Sequence, residues 1–137
     1  AGTWPTEKAK HTITLGASER FLRLKKLTLD DGESININFE SVTQVKHNDG
    51  LYLDNDVWVK IQASKEKILN VECKSDIHLA LIAWHIGNRH CALQILDNRN
   101  IRIENNNVIR EMLIKLGANV KIDEDIFEPE PGAYGGH

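Results

Sequence analysis

In the stretch AWHIGNRHCALQI, His85 and His90 stand five residues apart on either side of a Gly-Asn pair, with Cys91 directly behind the second histidine. Imidazoles and thiolates are the side chains that hold borderline and soft transition metals, so the first question is whether an ion could sit here. Ligands that share one helical face lie three or four residues apart, so a separation of five across a helix end is no helical metal pair. The two histidines therefore need not share an ion. Taken alone, His85 reads as a last-turn residue favoured by the helix dipole, and His90 as the opening of a strand. His90 gains interest if the preceding helix packs against a second copy of the chain. A residue near a two-fold axis meets its own copy, and one imidazole per chain becomes two at one place. Cys91 reads first as a small buried hydrophobe and second as a supplementary soft ligand. Asn88 and Arg89 read first as a cap and a surface cation, and second as residues that orient His90 or the partner chain.

Elsewhere His11, His47 and His78 fall on expected strand or helix-start positions and read as structural or solvated. His137 belongs to the segment EPEPGAYGGH, rich in proline and glycine, which is expected to be mobile or extended rather than packed. Fully extended from Phe127, that segment reaches up to ~33 Å, enough to carry an imidazole to a distant site. The acidic stretch from Asp123 to Glu130 reads as solvated, with oxygen-only metal ligation a weak second reading. No catalytic residues are assigned, because no Ser-His-Asp or Cys-His-Asn set, phosphate-cradling glycine loop or paired carboxylates stand out. An enzyme would have to use Cys91 as a nucleophile activated by His90 or His85, and nothing else supports that.

The elements that must position these residues fall into two groups. From His11 to about Ala63 the pattern is strand-like: HTITL, RFLRLKKLTL, the alternating ININF, then LYL and VWVKI, separated by the turn clusters DDGES and HNDG. Short β-rich runs at spacings near ten residues predict a small all-β, sandwich-like domain. ASKEK (Ala63 to Lys67) is the expected boundary. Beyond it, Ser75-Asp76 offers an N-cap to IHLALIAWHI, whose Leu79, Ile82, Ala83 and Ile86 form a core-facing stripe. Leu81 and Trp84 fall off that stripe, so this helix is apolar on a second side that needs cover from another subunit or domain. Gly87-Asn88 is expected to end it, since both residues tolerate the left-handed cap conformation. CALQILD and IRIE read as strands, Asn106 or Asn107 as the cap of VIREMLIKLG, Gly117 as its end, and NVKIDEDIF as a last strand. The predicted class is α+β: a β domain over 1–66, a ferredoxin-like βαββαβ domain over 67–127, and a flexible tail over 128–137. In the usual strand order of that fold the first and second strands are not neighbours, so Cys73 and Cys91 should not form a disulfide.

With 41% apolar and 27% charged residues the chain of 137 residues is globular, and domains this small gain from oligomerisation. A net charge of −3 with mixed signs gives no sign of nucleic-acid binding. No apolar run approaches the ~18 residues of a membrane helix, and the opening residues show no signal pattern. Two cysteines make neither a disulfide framework nor a zinc pair, so the cytoplasm with reduced thiols is the expected compartment.

HIGNRHCALQI together with FEPEPGAYGGH resembles the urease accessory nickel metallochaperones, the urease accessory protein E family. VIREMLIKLG, placed where that family has its second helix, and the TLDDGE turn extend the likeness over most of the chain. The resemblance implies a non-enzymatic homodimer with an N-terminal β domain for peptide or partner and a ferredoxin-like metal-binding domain. It implies that His90 meets its dimer mate to hold nickel, that His137 occupies a tail position supplying a further ligand, and that the metal passes to the urease accessory GTPase or the apo-urease complex. Two departures stand out: Glu104 to Asn107 (ENNN) carries no histidine where many members have them, and His137 is the first tail histidine. Imidazole also binds zinc and copper, either of which is expected to substitute for nickel in vitro, so a site of few imidazoles should bind moderately and release its ion readily. The alternative reading is a ferredoxin-like regulatory module that binds a small molecule or peptide and no metal.

Overall fold

The computed structural model describes residues 4–53 and 57–132. The chain divides after Ser64 into two compact units. The expected boundary stretch holds no linker: one strand ends at Ala63 and the next begins at Lys65.

In the first unit β1 (Ala9–Leu15), β2 (Phe21–Thr28), β3 (Ser34–Gln44), β4 (Gly50–Leu53) and β5 (Val57–Ala63) form two sheets, ordered β1-β5-β4 and β2-β3. β1 runs parallel to β5, while the β4–β5 and β2–β3 pairs are antiparallel. Ile13, Leu22, Leu27, Ile37, Val59 and Ile61 from both sheets share one buried core. The alternation of ININF places Ile37 in that core with Ile35 and Phe39 packed against it, as a half-buried strand requires. The β2–β3 turn uses Gly32 at φ 95°.

The second unit contains β6 (Lys65–Glu72), α1 (Asp76–Asn88), β7 (Leu93–Ile95), β8 (Asn100–Glu104), α2 (Asn107–Lys115) and β9 (Asn119–Ile126). Its sheet is antiparallel in the order β7-β8-β6-β9. This is the expected βαββαβ arrangement, and Cys73 and Cys91 are both free thiols. Each helix starts at a side-chain cap: Ser75 Oγ accepts the His78 N–H at 3.0 Å, and Asn106 Oδ1 accepts the Ile109 N–H at 3.1 Å. Ile82 and Ile86 of α1 and Ile109 and Leu113 of α2 bury against Leu69, Val71, Ile101 and Ile103. His78 joins the helices, taking the Lys74 N–H on Nδ1 at 2.9 Å and meeting the Leu116 carbonyl with Nε2 at 2.9 Å.

The end of the chain departs from expectation. Phe127 is fully buried and Pro129 is buried. The Glu128 N–H donates to Gln94 Oε1 at 2.9 Å, the Glu130 N–H to the Leu93 carbonyl at 2.8 Å, and Glu130 Oε2 accepts the Ile95 N–H at 3.0 Å. Glu128 to Glu130 are thus strapped to β7 rather than mobile, because β7 is an edge strand whose backbone groups need partners. Arg102 fixes where this strap begins, donating to Asn70 Oδ1 at 2.9 Å and to the Ile126 carbonyl at 2.8 Å. The remainder of the expected tail, 133–137, lies outside the described residues.

Candidate metal centre

The helix α1 ends at Asn88, within the expected Gly-Asn pair, but the left-handed residue is not one of that pair. Gly87 and Asn88 are its last helical residues, Arg89 is the C-cap at φ −99°, and the left-handed residue is His90, at φ 55°. The His90 N–H donates to the Gly87 carbonyl at 2.9 Å and the Cys91 N–H to the Ile86 carbonyl at 3.3 Å. This pair of bonds is the Schellman closure of a helix, with His90 at the position that usually takes glycine. α2 ends in the same way: Gly117, at φ 89°, donates to the Ile114 carbonyl, and Ala118 to the Leu113 carbonyl, both at 3.0 Å. The register is set by the core. Ile86 is fully buried and must stay helical, and Cys91 closes the motif by packing against the same cluster.

A left-handed backbone is uncommon for a residue with a Cβ and costs roughly 1–3 kcal/mol at a non-glycine position, although histidine tolerates it better than most. Here it places an exposed imidazole at the helix end, between two clefts of about 230 Å³ each. One is lined by His90, Cys91, Glu104 and Asn106, the other by His90, Cys91, Leu93 and the strapped segment at Glu130 and Gly132. Asn88 and Arg89 are exposed beside it. His85 is elsewhere. Half-buried, it meets Trp84 edge-on with ring centroids 4.9 Å apart and lines a different cleft with Arg89, Glu111 and Met112.

The surroundings decide which groups are ready to ligate. Burial pushes the Cys91 thiol above its ordinary value, and the Glu104 charge pushes the same way while Arg89 opposes it. The sulfur is therefore held as a thiol, in which form it is a poor ligand. The Glu104 carboxyl is raised by burial first and by Glu66 second. Glu104 was not singled out by the sequence, where it belongs to the ENNN stretch without histidines. Its place became visible only once β8 lay beside the segment that follows His90. Within one chain, His90 is the exposed imidazole of this group, and it has room on two sides.

Among the described residues, one set of three His, Cys, Asp or Glu side chains brings its ligand atoms within 4.8 Å of one another: His11, Asp31 and Glu33. His11 had read as structural or solvated. Pairing it with the acidic residues of the TLDDGE turn requires knowing that β1 lies against that turn, which no local pattern announces. The proposed tail ligand His137 lies outside the described residues.

The outward side of α1 carries Ile77, Leu81 and Trp84, at 84%, 44% and 61% exposure, an apolar stripe separate from the core-facing one. Among the described residues no helix is long and apolar enough to cross a membrane.

Comparison with known proteins accounts for both units. Residues 1–64 match the family described as UreE urease accessory protein, N-terminal domain, and residues 66–137 match its C-terminal domain. The urease accessory protein UreE of Agrobacterium fabrum is 38% identical over 137 residues, covering 100% of this chain and 84% of that protein. UreE 1 of Brucella suis is 44% identical over 126 residues, covering 91% and 77% respectively. The UreE protein of Ruegeria pomeroyi is 34% identical over 134 residues, covering 98% and 86%. The chain is an accessory protein and not an enzyme, and it belongs to the UreE urease accessory protein family.

Proposed function

We propose that this urease accessory protein carries Ni(II) as cargo for assembly of the urease active site, holding it between two copies of His90. The observation that carries this reading is the left-handed His90 at the end of a helix whose outward face is apolar. Ile77, Leu81 and Trp84 follow the i, i+4, i+7 spacing of one face, and continuing that row by four leads to Asn88, two residues before His90. Two chains packed along this row about a two-fold axis that runs parallel to the helices bring their His90 side chains to the same end of the interface. A site of two imidazoles suits nickel, zinc and copper alike and leaves coordination positions open for transfer. His137 then supplies a further imidazole from the tail, and His85, Cys91, Asn88 and Arg89 act as auxiliary ligands or by orienting His90. The receivers in this reading are the urease accessory GTPase and the apo-urease complex, met through the N-terminal β unit, and the free thiols suit the cytoplasm.

Calorimetric titration with Ni²⁺, paired with sedimentation, tests it. The expected result is one tight nickel ion per two chains, lost in His90→Ala and largely retained in His85→Ala. A chain that sediments as a monomer with full nickel affinity, or equal losses in the two variants, overturns the reading.

A further inference from the structure

The β2–β3 turn is fastened to β1 through Asp30. Its N–H donates to the Thr12 carbonyl at 2.9 Å, and its carboxylate accepts from Thr12 Oγ1 at 3.0 Å, the Thr14 N–H at 3.1 Å and Thr14 Oγ1 at 2.9 Å. Inside the turn Asp31 Oδ1 accepts the Glu33 N–H at 3.0 Å. These bonds hold two carboxylates at opposite edges of one imidazole. Asp31 Oδ2 lies 2.5 Å from His11 Nδ1, and Glu33 Oε2 lies 3.7 Å from His11 Nε2. The histidine side chain is only 20% exposed, whereas those of Asp31 and Glu33 are 45% and 68% exposed.

The two edges differ chemically. The Nδ1 contact is a short hydrogen bond with no room for an ion. A neutral ring that donates from Nδ1 presents a lone pair at Nε2, facing Glu33. The 3.7 Å gap there is too long for a hydrogen bond. It does match the separation of two ligand atoms on one small divalent ion, since bonds of about 2.0–2.2 Å would span it at an angle of roughly 125°. A carboxylate on the far nitrogen is the arrangement that fixes the tautomer of a metal-binding histidine.

We propose that His11 Nε2 and Glu33, oriented by Asp31, form a second, weaker site on the N-terminal unit for an imidazole-binding divalent ion such as Zn²⁺ or Ni²⁺. Two protein ligands with water in the remaining positions make an open site that loads and unloads readily. The inference does not depend on the reading of His90. Without an ion, the same geometry serves as an imidazolium clamp between two carboxylates, and the experiment must separate these two roles.

Zn²⁺ is titrated into the isotope-labelled full chain, unaltered and with His90→Ala, while histidine ring and backbone resonances are followed residue by residue. The expected result is a saturable shift of His11, Asp31 and Glu33 together, with Ni²⁺ broadening the same resonances, in both proteins. Glu33→Gln should weaken this binding at least tenfold and Asp31→Asn about tenfold, with the signature at His90 unchanged in the otherwise unaltered chain. Glu33 is well exposed, so its replacement should leave the metal-free fold intact. Absence of a saturable shift at His11, or undiminished affinity in Glu33→Gln, overturns the site and leaves the clamp. Loss of the His90 signature alone leaves this inference standing.

Discussion

Replacing His90 separates the backbone's interest in that position from that of the proposed metal. At φ 55° a side chain with a Cβ costs roughly 1–2 kcal/mol, while glycine carries no such penalty. Glycine loses more backbone freedom on folding, which offsets part of the gain, so His90→Gly should stabilise the metal-free protein by about 0.5–1 kcal/mol. His90→Ala keeps the strained backbone and lacks histidine's tolerance of it, so it should be neutral or worse. The gap between the variants should be about 1 kcal/mol, or roughly 4–8 °C in melting temperature for a small unit. Gly117 supplies an internal ruler. It sits at the equivalent position of α2 at φ 89°, and a Cβ there would come no closer than 3.5 Å to the Lys74 Nζ. Gly117→Ala should therefore cost about 1 kcal/mol through the backbone alone. The assay is thermal unfolding with chelator present and all chains at one concentration, because self-association makes the midpoint concentration-dependent. Both His90 variants should lose nickel equally. If His90→Gly melts at or below His90→Ala, the left-handed assignment fails.

Gly87 lies inside α1 with nothing within 4 Å of an added Cβ, so Gly87→Ala should stabilise an isolated chain by about 0.5–1 kcal/mol; a loss of stability that grows with protein concentration would show a partner chain packed there. Asp31 has its folded-state value lowered, first by the Glu33 N–H and then by His11, so it contributes stability above the ordinary carboxylate value of 3.8 and loses it as pH falls through the folded value. The melting temperature of Asp31→Asn should accordingly fall below that of the parent at pH 6–7, with the difference narrowing as the pH is taken below 3.8; a gap that stays constant or widens on acidification would contradict this. Phe127→Ala should cost about 3–5 kcal/mol and release the strap along β7, detectable as faster amide exchange at Leu93 to Ile95, and a neutral effect would mean the strap is held by Glu130 alone.

The helices and the strand order of the second unit were readable because each boundary has a local cause: the Ser75 and Asn106 caps, the stripes of Ile82 and Ile86 and of Ile109 and Leu113, and Gly117 at a left-handed turn. The cap of α1 was misread for a physical reason. Gly87 and Asn88 both look like cap residues, but the closure that forms depends on burying Ile86 and Cys91, which the core decides. The strap and the His11 cluster were hidden by the same kind of distance. Glu130 pairs with Leu93, and Asp31 with His11, across separations that no window of sequence spans. Cys91 read as a small buried residue and is only partly buried, and its nearness to Glu104 required the strand pairing.

The strap also changes what the residues after it can do. A tail free from Phe127 would sweep a volume of ~33 Å radius, and most positions in it would be far from His90. Glu130 fastens the chain to β7, and Gly132 lines one of the clefts beside His90, so the chain reaches the end of the described residues at the rim of that cleft. In the proposed site, an imidazole kept within about 17 Å of the ion would have an effective molarity on the order of tens of millimolar, far above any concentration of free ligand the site would meet. In the proposed nickel site, such a third donor would be displaced by an incoming protein's ligand and recaptured when that ligand leaves, without the ion passing through bulk water.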